Sequence, residues 1–306
     1  MTDSISWLKR ALPYIRRYKH QTFILKMGGA LLNNKEATLE LAEQITLLID
    51  LGIRIVLVHG GGPQTSELSQ KLGLKPDIVA GRRVTCDNTL EVVKMTLAGQ
   101  LNLDLVSTFA RCGVNAVGLT GIDSGLIKAK RRPPVAITDD AGEDRLVDFG
   151  NVGDIYDADS TLVNALIDNE YLPVIASLGG DGEGGVLNIN ADTVAEALAV
   201  KMQAKKLVFI TEAPGILRDK NDPGSLVPFA DATDLQSLLD DGVIAAGMRP
   251  KVEACLRACK QGVKRTHIIS GLQPSALLTE IFTGEGCGTM IVAEREKKEY
   301  QESELG

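Results

Sequence analysis

The sequence predicts an α/β fold, with a mostly parallel β-sheet covered by helices on both faces. Two observations lead there. Short apolar runs alternate with amphipathic stretches of helical period along nearly the whole chain. The apolar runs also lack the in-out alternation of a half-solvated sheet, which fits strands buried on both sides. Strands are predicted at 22–27, 54–58, 116–119, 173–177, 207–211 and 266–270. Helices are predicted at 36–51, 63–72, 90–111, 161–169, 193–202, 235–240, 250–261 and 275–282.

The helix opening at Glu36 shows the logic. Leu41, Ile45 and Leu48 form a stripe with Ala42 and Ile49, Asn33 or Asn34 can cap its start, and Gly52 offers a left-handed stop. Between 126 and 156 the pattern changes to Pro-Pro, charges and short extended runs, which predicts β-hairpins projecting from the sheet. The first twenty residues form a separate amphipathic helix. Ile5, Leu8, Leu12 and Ile15 lie on one side beside Ala11 and Tyr18, with Arg10, Arg16 and Arg17 opposite, and Pro13 should kink it. It can pack back on the domain or meet another subunit. The charged end, 293–306, reads as a frayed tail.

Composition narrows the function. Hydrophobic residues make up 44% and aromatics 4%, so the core is aliphatic. A net charge of −7 argues against nucleic acid or a membrane surface as partner. No apolar run approaches the ~20 residues of a membrane span. Trp7 and Leu8 run straight into Lys9 and Arg10, unlike a signal peptide. A cytoplasmic protein is expected. The five cysteines, Cys86, Cys112, Cys255, Cys259 and Cys287, lie away from the histidines His20, His59 and His267. They read as small buried side chains, and no protein metal site is expected.

The P-loop pattern GxxxxGK(S/T) does not occur. Four other patterns carry chemistry. Phe23–Gly29 places Lys26 inside an apolar strand, which is costly without a counter-charge, and ends it with Gly28 and Gly29. Val58–Pro63 puts Gly60, Gly61 and Gly62 between a strand and a helix with Pro63 at its start, an amide nest suited to an anion. In Leu187–Asp192, alternation sends Asn188 and Asn190 to one face and Asp192 opens a helix. Gly247–Val252 places Lys251 in a helix's first turn, where it opposes the dipole by ~0.3–1 kcal/mol unless an anion binds there. Each has a plainer reading: a snorkelling lysine, a tight turn, an N-cap, a solvated lysine. Together they point to phosphoryl transfer.

KMGGALL, VHGGGP, GRRVT, LNINAD, LVFITEAPGIL and GMRPKV occur in this order across 22–292. In these the chain resembles the amino acid kinase family, and within it the acetylglutamate kinases. The resemblance implies an open three-layer αβα sandwich. Residues 1–21 would be an oligomerisation helix, 22–178 a lobe for substrate and dimerisation, and 179–306 a lobe for ATP. It implies catalytic roles for Lys26, Lys251 and Asp192, with Asp192 holding the two lysines. Substrate would be bound by Gly61, Gly62, Arg83, Asn188 and Asn190, Arg83 taking the α-carboxylate. ATP, with Mg2+, would meet Gly28, Gly29, Thr211, Gly215 and Leu217. The acceptor would be N-acetyl-L-glutamate, whose carboxylate is already ionised and needs no general base.

The N-terminal helix and the stretches His267–Gly271 and Glu285–Thr289 resemble arginine-inhibited members. That implies a hexamer built as a trimer of dimers and an L-arginine site with Tyr14, His267, Glu285 and Gly288. A PII-type regulator is left open. The sequence departs from the family pattern at Ile122 (lysine in relatives), Ser124 (glycine), Glu212 and Ser270 (both Asp or Asn). Two alternatives stand beside this reading. One is a kinase for carrier-bound aminoadipate in lysine biosynthesis, docking through the basic run Lys128–Arg132. The other is a non-catalytic arginine sensor.

Overall fold

A computed structural model describes residues 2–138, 144–244 and 247–293, with backbone only for 2–8, 138 and 144. Eight strands form the central sheet, in the order Phe229–Ala230, Thr289–Val292, Arg265–Ser270, Lys206–Thr211, Thr22–Met27, Arg54–His59, Leu172–Ala176 and Ala116–Thr120. All neighbours are parallel except Arg265–Ser270 and Thr289–Val292. Alternation along Thr22–Met27 divides the core. Ile24 packs on one face with the helices Ala191–Lys201 and Arg249–Lys260. Phe23, Leu25 and Met27 pack on the other with Lys35–Asp50, Asn102–Arg111 and Ala276–Phe282. The predicted αβα layering is therefore present. Its helix rules hold locally as well: Asn34 Oδ1 accepts from the Ala37 amide at 3.0 Å, and Gly52 takes φ +80 after Lys35–Asp50.

The hairpins expected in 126–156 are there. Ile127–Arg131 pairs antiparallel with Gly153–Ala158, and Val135–Thr138 with Asp144–Val147. The first pair joins Leu178–Gly180 and Val186–Asn188 in a separate four-stranded sheet. Three features differ from expectation. The predicted helix 90–111 begins at Asp87 and passes through a π-helical segment, Met95–Leu101, before Asn102–Arg111. The strands at 178–180, 186–188, 229–230 and 289–292 are too short to show a period. Cys255 and Cys259 are buried as expected and Cys112 and Cys287 half-buried, but Cys86 is exposed, because it precedes the helix Asp87–Lys94 on the surface.

The N-terminal helix, Thr2–Tyr18, contains Pro13 and packs back on the domain. Ala11 and Tyr18 are buried, and Tyr18 stands edge-on to Phe23 with ring centroids 5.3 Å apart. Leu12 is exposed. The side chains of Ile5 and Leu8, and the tail from 294 onward, lie outside the described residues. Among the described residues, no helix is long and apolar enough to cross a membrane.

Candidate active site

Because the central strands are parallel and in register, their carboxyl ends open on one side of the sheet. Lys26 lies near the end of its strand, only 6% exposed, and alternation turns it toward the face covered by Ala191–Lys201. Asp192 stands in that helix's first turn, whose start is capped by Asn190 Oδ1 accepting from the Asp192 amide at 2.8 Å. Its Oδ1 lies 2.7 Å from Lys26 Nζ and its Oδ2 3.4 Å from Lys251 Nζ. Lys251 comes from the first turn of Arg249–Lys260 and also donates to the Gly247 carbonyl at 3.3 Å. One buried carboxylate thus joins two lysines from opposite ends of the sequence.

The electrostatics follow from this arrangement. Burial pushes the Lys26 ammonium below its ordinary pKa, Asp192 resists that and Lys251 adds to it. For Asp192, burial alone would favour the neutral acid, but the two lysines outweigh it and hold the carboxyl low. The triad keeps its charges because each compensates another, and it leaves one net positive charge facing the carboxyl ends of the strands.

Two glycine turns flank the lysines. A Cβ on Gly29 would come within 2.9 Å of the Gly61 Cα, so only glycine lets these backbones touch. A Cβ on Gly61 would run into Leu97 and Leu101, whereas Gly62 faces open space. Gln64 Nε2 ties the turns together by donating to the Gly29 carbonyl at 2.6 Å and to Asn33 Oδ1 at 2.8 Å. Arg83 reaches the same place. One guanidinium nitrogen donates to the Gly62 carbonyl at 2.9 Å and to Ser66 Oγ, while the other, Nη1, is buried with no partner among the described residues. Asn188 Nδ2 donates to Thr85 Oγ1 at 3.1 Å, two residues along from Arg83.

On the other side, Gly28 donates to the Ile210 carbonyl at 2.9 Å, and the segment after Thr211 turns back across the sheet edge. A Cβ on Gly215 would meet Thr289 Oγ1, which accepts from the Ile216 amide at 2.9 Å; Leu217 bridges to Leu226. Thr289 was not legible as a holder of this turn. Of the departures from the family pattern, Ser124 takes φ +55, a left-handed conformation that costs serine more than glycine. Ser270 Oγ bridges the turn by donating to the Glu212 carbonyl and accepting from the Leu272 amide.

A second constellation lies at the amino end of the strand Lys206–Thr211. A cavity of about 240 Å³ is lined by Tyr14, Tyr18, Lys206, His267, Glu280 and Glu285 among others. His267 Nδ1 lies 2.6 Å from Glu280 Oε1, and its Nε2 lies 2.8 Å from Lys206 Nζ. Burial, then Lys206, brings His267 down to about 4. Glu280 falls to about 2 against its own burial, through His267 and the amides of Cys287 and Gly288. Burial, then Arg265, brings Lys206 down to about 7. Of the residues expected here, Tyr14, His267 and Glu285 line the cavity. Gly288 does not, because its amide is spent on Glu280 at 3.0 Å. Lys206 and Glu280 were missed. The only signal for Glu280 was its helical spacing from Ala276 and Leu277, on the buried stripe.

A family model described as the amino acid kinase family matches residues 21–270. The chain belongs to the amino acid kinase family. The acetylglutamate kinase of Myxococcus xanthus (strain DK1622) is 48% identical over 297 residues, covering 97% of this chain and 96% of the relative. That of Methanococcus maripaludis (strain C5) is 42% identical over 287 residues, covering 94% and 97%. Among solved structures, N-acetylglutamate synthase from Neisseria gonorrhoeae, complexed with coenzyme A and N-acetyl-glutamate, superposes with a TM-score of 0.80 at 28% identity. It covers 95% of this chain, which spans 63% of the synthase chain. A carbamate kinase from Giardia, 18% identical with a TM-score of 0.63, shares the fold.

Proposed function

We propose that this amino acid kinase transfers the γ-phosphoryl group of ATP to the side-chain carboxylate of N-acetyl-L-glutamate, giving N-acetyl-L-glutamyl 5-phosphate in arginine biosynthesis. The observation that carries the proposal is the Lys26–Asp192–Lys251 bridge. Phosphoryl transfer between two anions needs charge neutralisation and in-line positioning rather than a base. Lys26 and Lys251 supply the positive charge, and Asp192 fixes where both ammonium groups stand. The Gly28 amide, expected to meet the nucleotide, is spent on the Ile210 carbonyl, so the Gly29 amide faces the nucleotide phosphates, with the turn Thr211–Leu217 lining the rest of that pocket. The amides of Gly61 and Gly62 meet the acceptor. Arg83, whose buried Nη1 lacks a partner, takes the α-carboxylate, and Asn188 and Asn190 orient the acetylamino group. These donors fit a nucleotide carrying Mg2+ on its own phosphates, and the ion supplies further charge neutralisation when bound.

The reading divides the chain into an oligomerisation helix (1–21), an acceptor lobe (22–178) and a nucleotide lobe (179–306). It also places L-arginine, as a feedback inhibitor, in the cavity beside Glu280. The synthase from Neisseria gonorrhoeae has likewise been crystallised with coenzyme A and L-arginine, at 28% identity and a TM-score of 0.77. A hexamer built as a trimer of dimers is proposed with it, and a PII-type partner is left to experiment. The carrier-docking alternative loses its basic surface. Lys128 pairs with Asp157, Arg131 with Asp148 and Arg132 with Asp154, while Lys130 lies over the Tyr156 ring.

The test is a coupled ADP-release assay offering N-acetyl-L-glutamate, L-glutamate and L-aspartate separately, with and without L-arginine. Turnover confined to the acetylated substrate and depressed by arginine is expected. Activity on aspartate alone would overturn the substrate, and turnover indifferent to arginine would overturn the inhibitor.

A further inference from the structure

Two buried polar side chains beside the glycine turn Gly60–Gly62 have no part in the chemistry just described. His59 ends the strand Arg54–His59 and is fully buried, next to Met27 in register. Asn102 opens the helix Asn102–Arg111 directly after the π-helical segment and is 4% exposed. Asn102 Nδ2 lies 3.0 Å from the Val174 carbonyl, 3.4 Å from the Leu119 carbonyl and 3.1 Å from His59 Nε2.

Carbonyl oxygens only accept, so the Asn102 atom facing them is the amide nitrogen and not the oxygen. That nitrogen has two protons, which go to its two nearest partners, the Val174 carbonyl and His59 Nε2, so Nε2 accepts. The ring proton is then on Nδ1, which lies 3.2 Å from the Gly60 carbonyl and donates to it. Burial, opposed by the Gly60 contact and reinforced by Lys26, holds His59 at about 4, so the ring is neutral near pH 7.

Two further contacts place this pair in register with the glycine turn. A Cβ on Gly118 would occupy the space of Asn102 Oδ1, so glycine there makes room for the amide. The π-helical segment that delivers Asn102 also presses Leu97 and Leu101 against Gly61. A widened turn of this kind shifts the face presented by the following helix, here setting the amide on the histidine and the leucines on the glycine.

We propose that Asn102 and His59 are positioning residues: Asn102 fixes the His59 tautomer, the ring holds the Gly60 carbonyl, and that carbonyl sets the direction of the Gly61 and Gly62 amides. The kinetic part rests on the reading of those amides as the acceptor's cradle. Asn102→Asp keeps the side chain's shape but removes the donor and draws a proton onto His59 Nε2. The KM for N-acetyl-L-glutamate should rise about tenfold, as for the loss of a buried hydrogen bond. The KM for ATP should stay within about twofold, since the Gly28–Gly29 turn has its own anchor in the Gly28 amide on the Ile210 carbonyl. Gly118→Ala, which displaces an unaltered Asn102, should give the same split.

Protein labelled with 15N-histidine should show the neutral Nδ1–H ring for His59 in the wild type and a protonated Nε2 in Asn102→Asp. A wild-type Nε2–H ring or imidazolium overturns the proposal. So does a variant whose ring changes while both KM values and the Gly61 and Gly62 amide resonances stay put. A wild type inert toward N-acetyl-L-glutamate would sink the functional reading instead. The glycine resonances would still decide the relay, by moving in Asn102→Asp if it exists and holding still if it does not.

Discussion

The two ends of the central strands each bury a lysine beside a carboxylate, and they solve the cost differently. At the carboxyl ends, Asp192 touches Lys26 directly at 2.7 Å, with Lys251 on its other oxygen. At the amino end of Lys206–Thr211, an imidazole stands between the charges: Lys206 meets His267, and His267 meets Glu280. A direct pair keeps both partners ionised, because separating an ion pair inside a protein is expensive. A pair mediated by a neutral ring leaves the lysine weakly compensated, and Lys206 falls to about 7. On the proposed reading, the first end holds fixed charge near moving phosphate. The second, on the same reading, offers the charge of Glu280 to a cationic ligand in the cavity.

The largest test of that contrast is to break the direct bridge. Asp192→Asn leaves the Lys26 ammonium buried without a counter-charge, a loss of about 3–5 kcal/mol by analogy with other broken buried pairs. The melting temperature should fall and turnover collapse together. Lys26→Ala separates the two effects. If that charge acts on the transferring group as proposed, kcat should drop about 10²–10³-fold with little change in either KM. A variant whose KM for ATP rose while kcat held would make Lys26 a binding residue only. Lys251→Ala should be gentler on stability, since Lys251 is 18% exposed at the side chain and sits 3.4 Å from Asp192.

How much of this contrast could be read from sequence depends on where each charge falls in its local pattern. Lys26 interrupts an apolar strand and Asp192 follows two alternating asparagines, so both stand out before any fold is known. Lys206, by contrast, is the first residue of a strand, where a lysine looks like a solvated end. Glu280, in Ala276–Phe282, resembles any helical glutamate until His267 is brought beside it by the sheet. The same limit applies to the fold. The long apolar strands and the helix from Lys35 were legible, since period and capping are local properties. The π-helical segment was not, because its extra residue per turn hides inside an otherwise regular 90–111 pattern. Strands such as Phe229–Ala230 exist only through their partners. Asn190 was read as both cap and ligand, and its oxygen is engaged as the cap.

A smaller effect is expected at the other end of the strands. Glu280→Gln keeps the shape of the side chain but removes the negative charge offered to the cavity. If L-arginine binds there through its guanidinium, the concentration giving half-inhibition should rise about 10–100-fold, the usual effect of losing a charge-assisted hydrogen bond in a partly buried site. Titrating arginine against the wild type and the variant in the same assay measures it. An unchanged inhibition curve would move the inhibitor elsewhere and leave the carboxylate as a structural support for the Cys287 and Gly288 amides.

The subtlest prediction uses the mediated lysine itself. Lys206 titrates at about 7 in the native protein against an ordinary 10.5, so between those values the unfolded chain binds a proton that the native state does not. Stability contributed through this group therefore rises with pH across 7 to 10.5, while below 7 the full penalty of burying the ammonium is present. Lys206→Met removes the penalty without emptying the site. Relative to the wild type, the variant should gain about 1–2 kcal/mol near pH 6, with the difference shrinking toward zero by pH 10. Lys26 is also depressed and shapes both curves alike, so only the difference between the two proteins reports on Lys206. Urea midpoints across that range measure it. A constant difference would mean that His267 and Glu280 hold Lys206 charged throughout, and the two ends of the sheet would then handle buried charge in the same way.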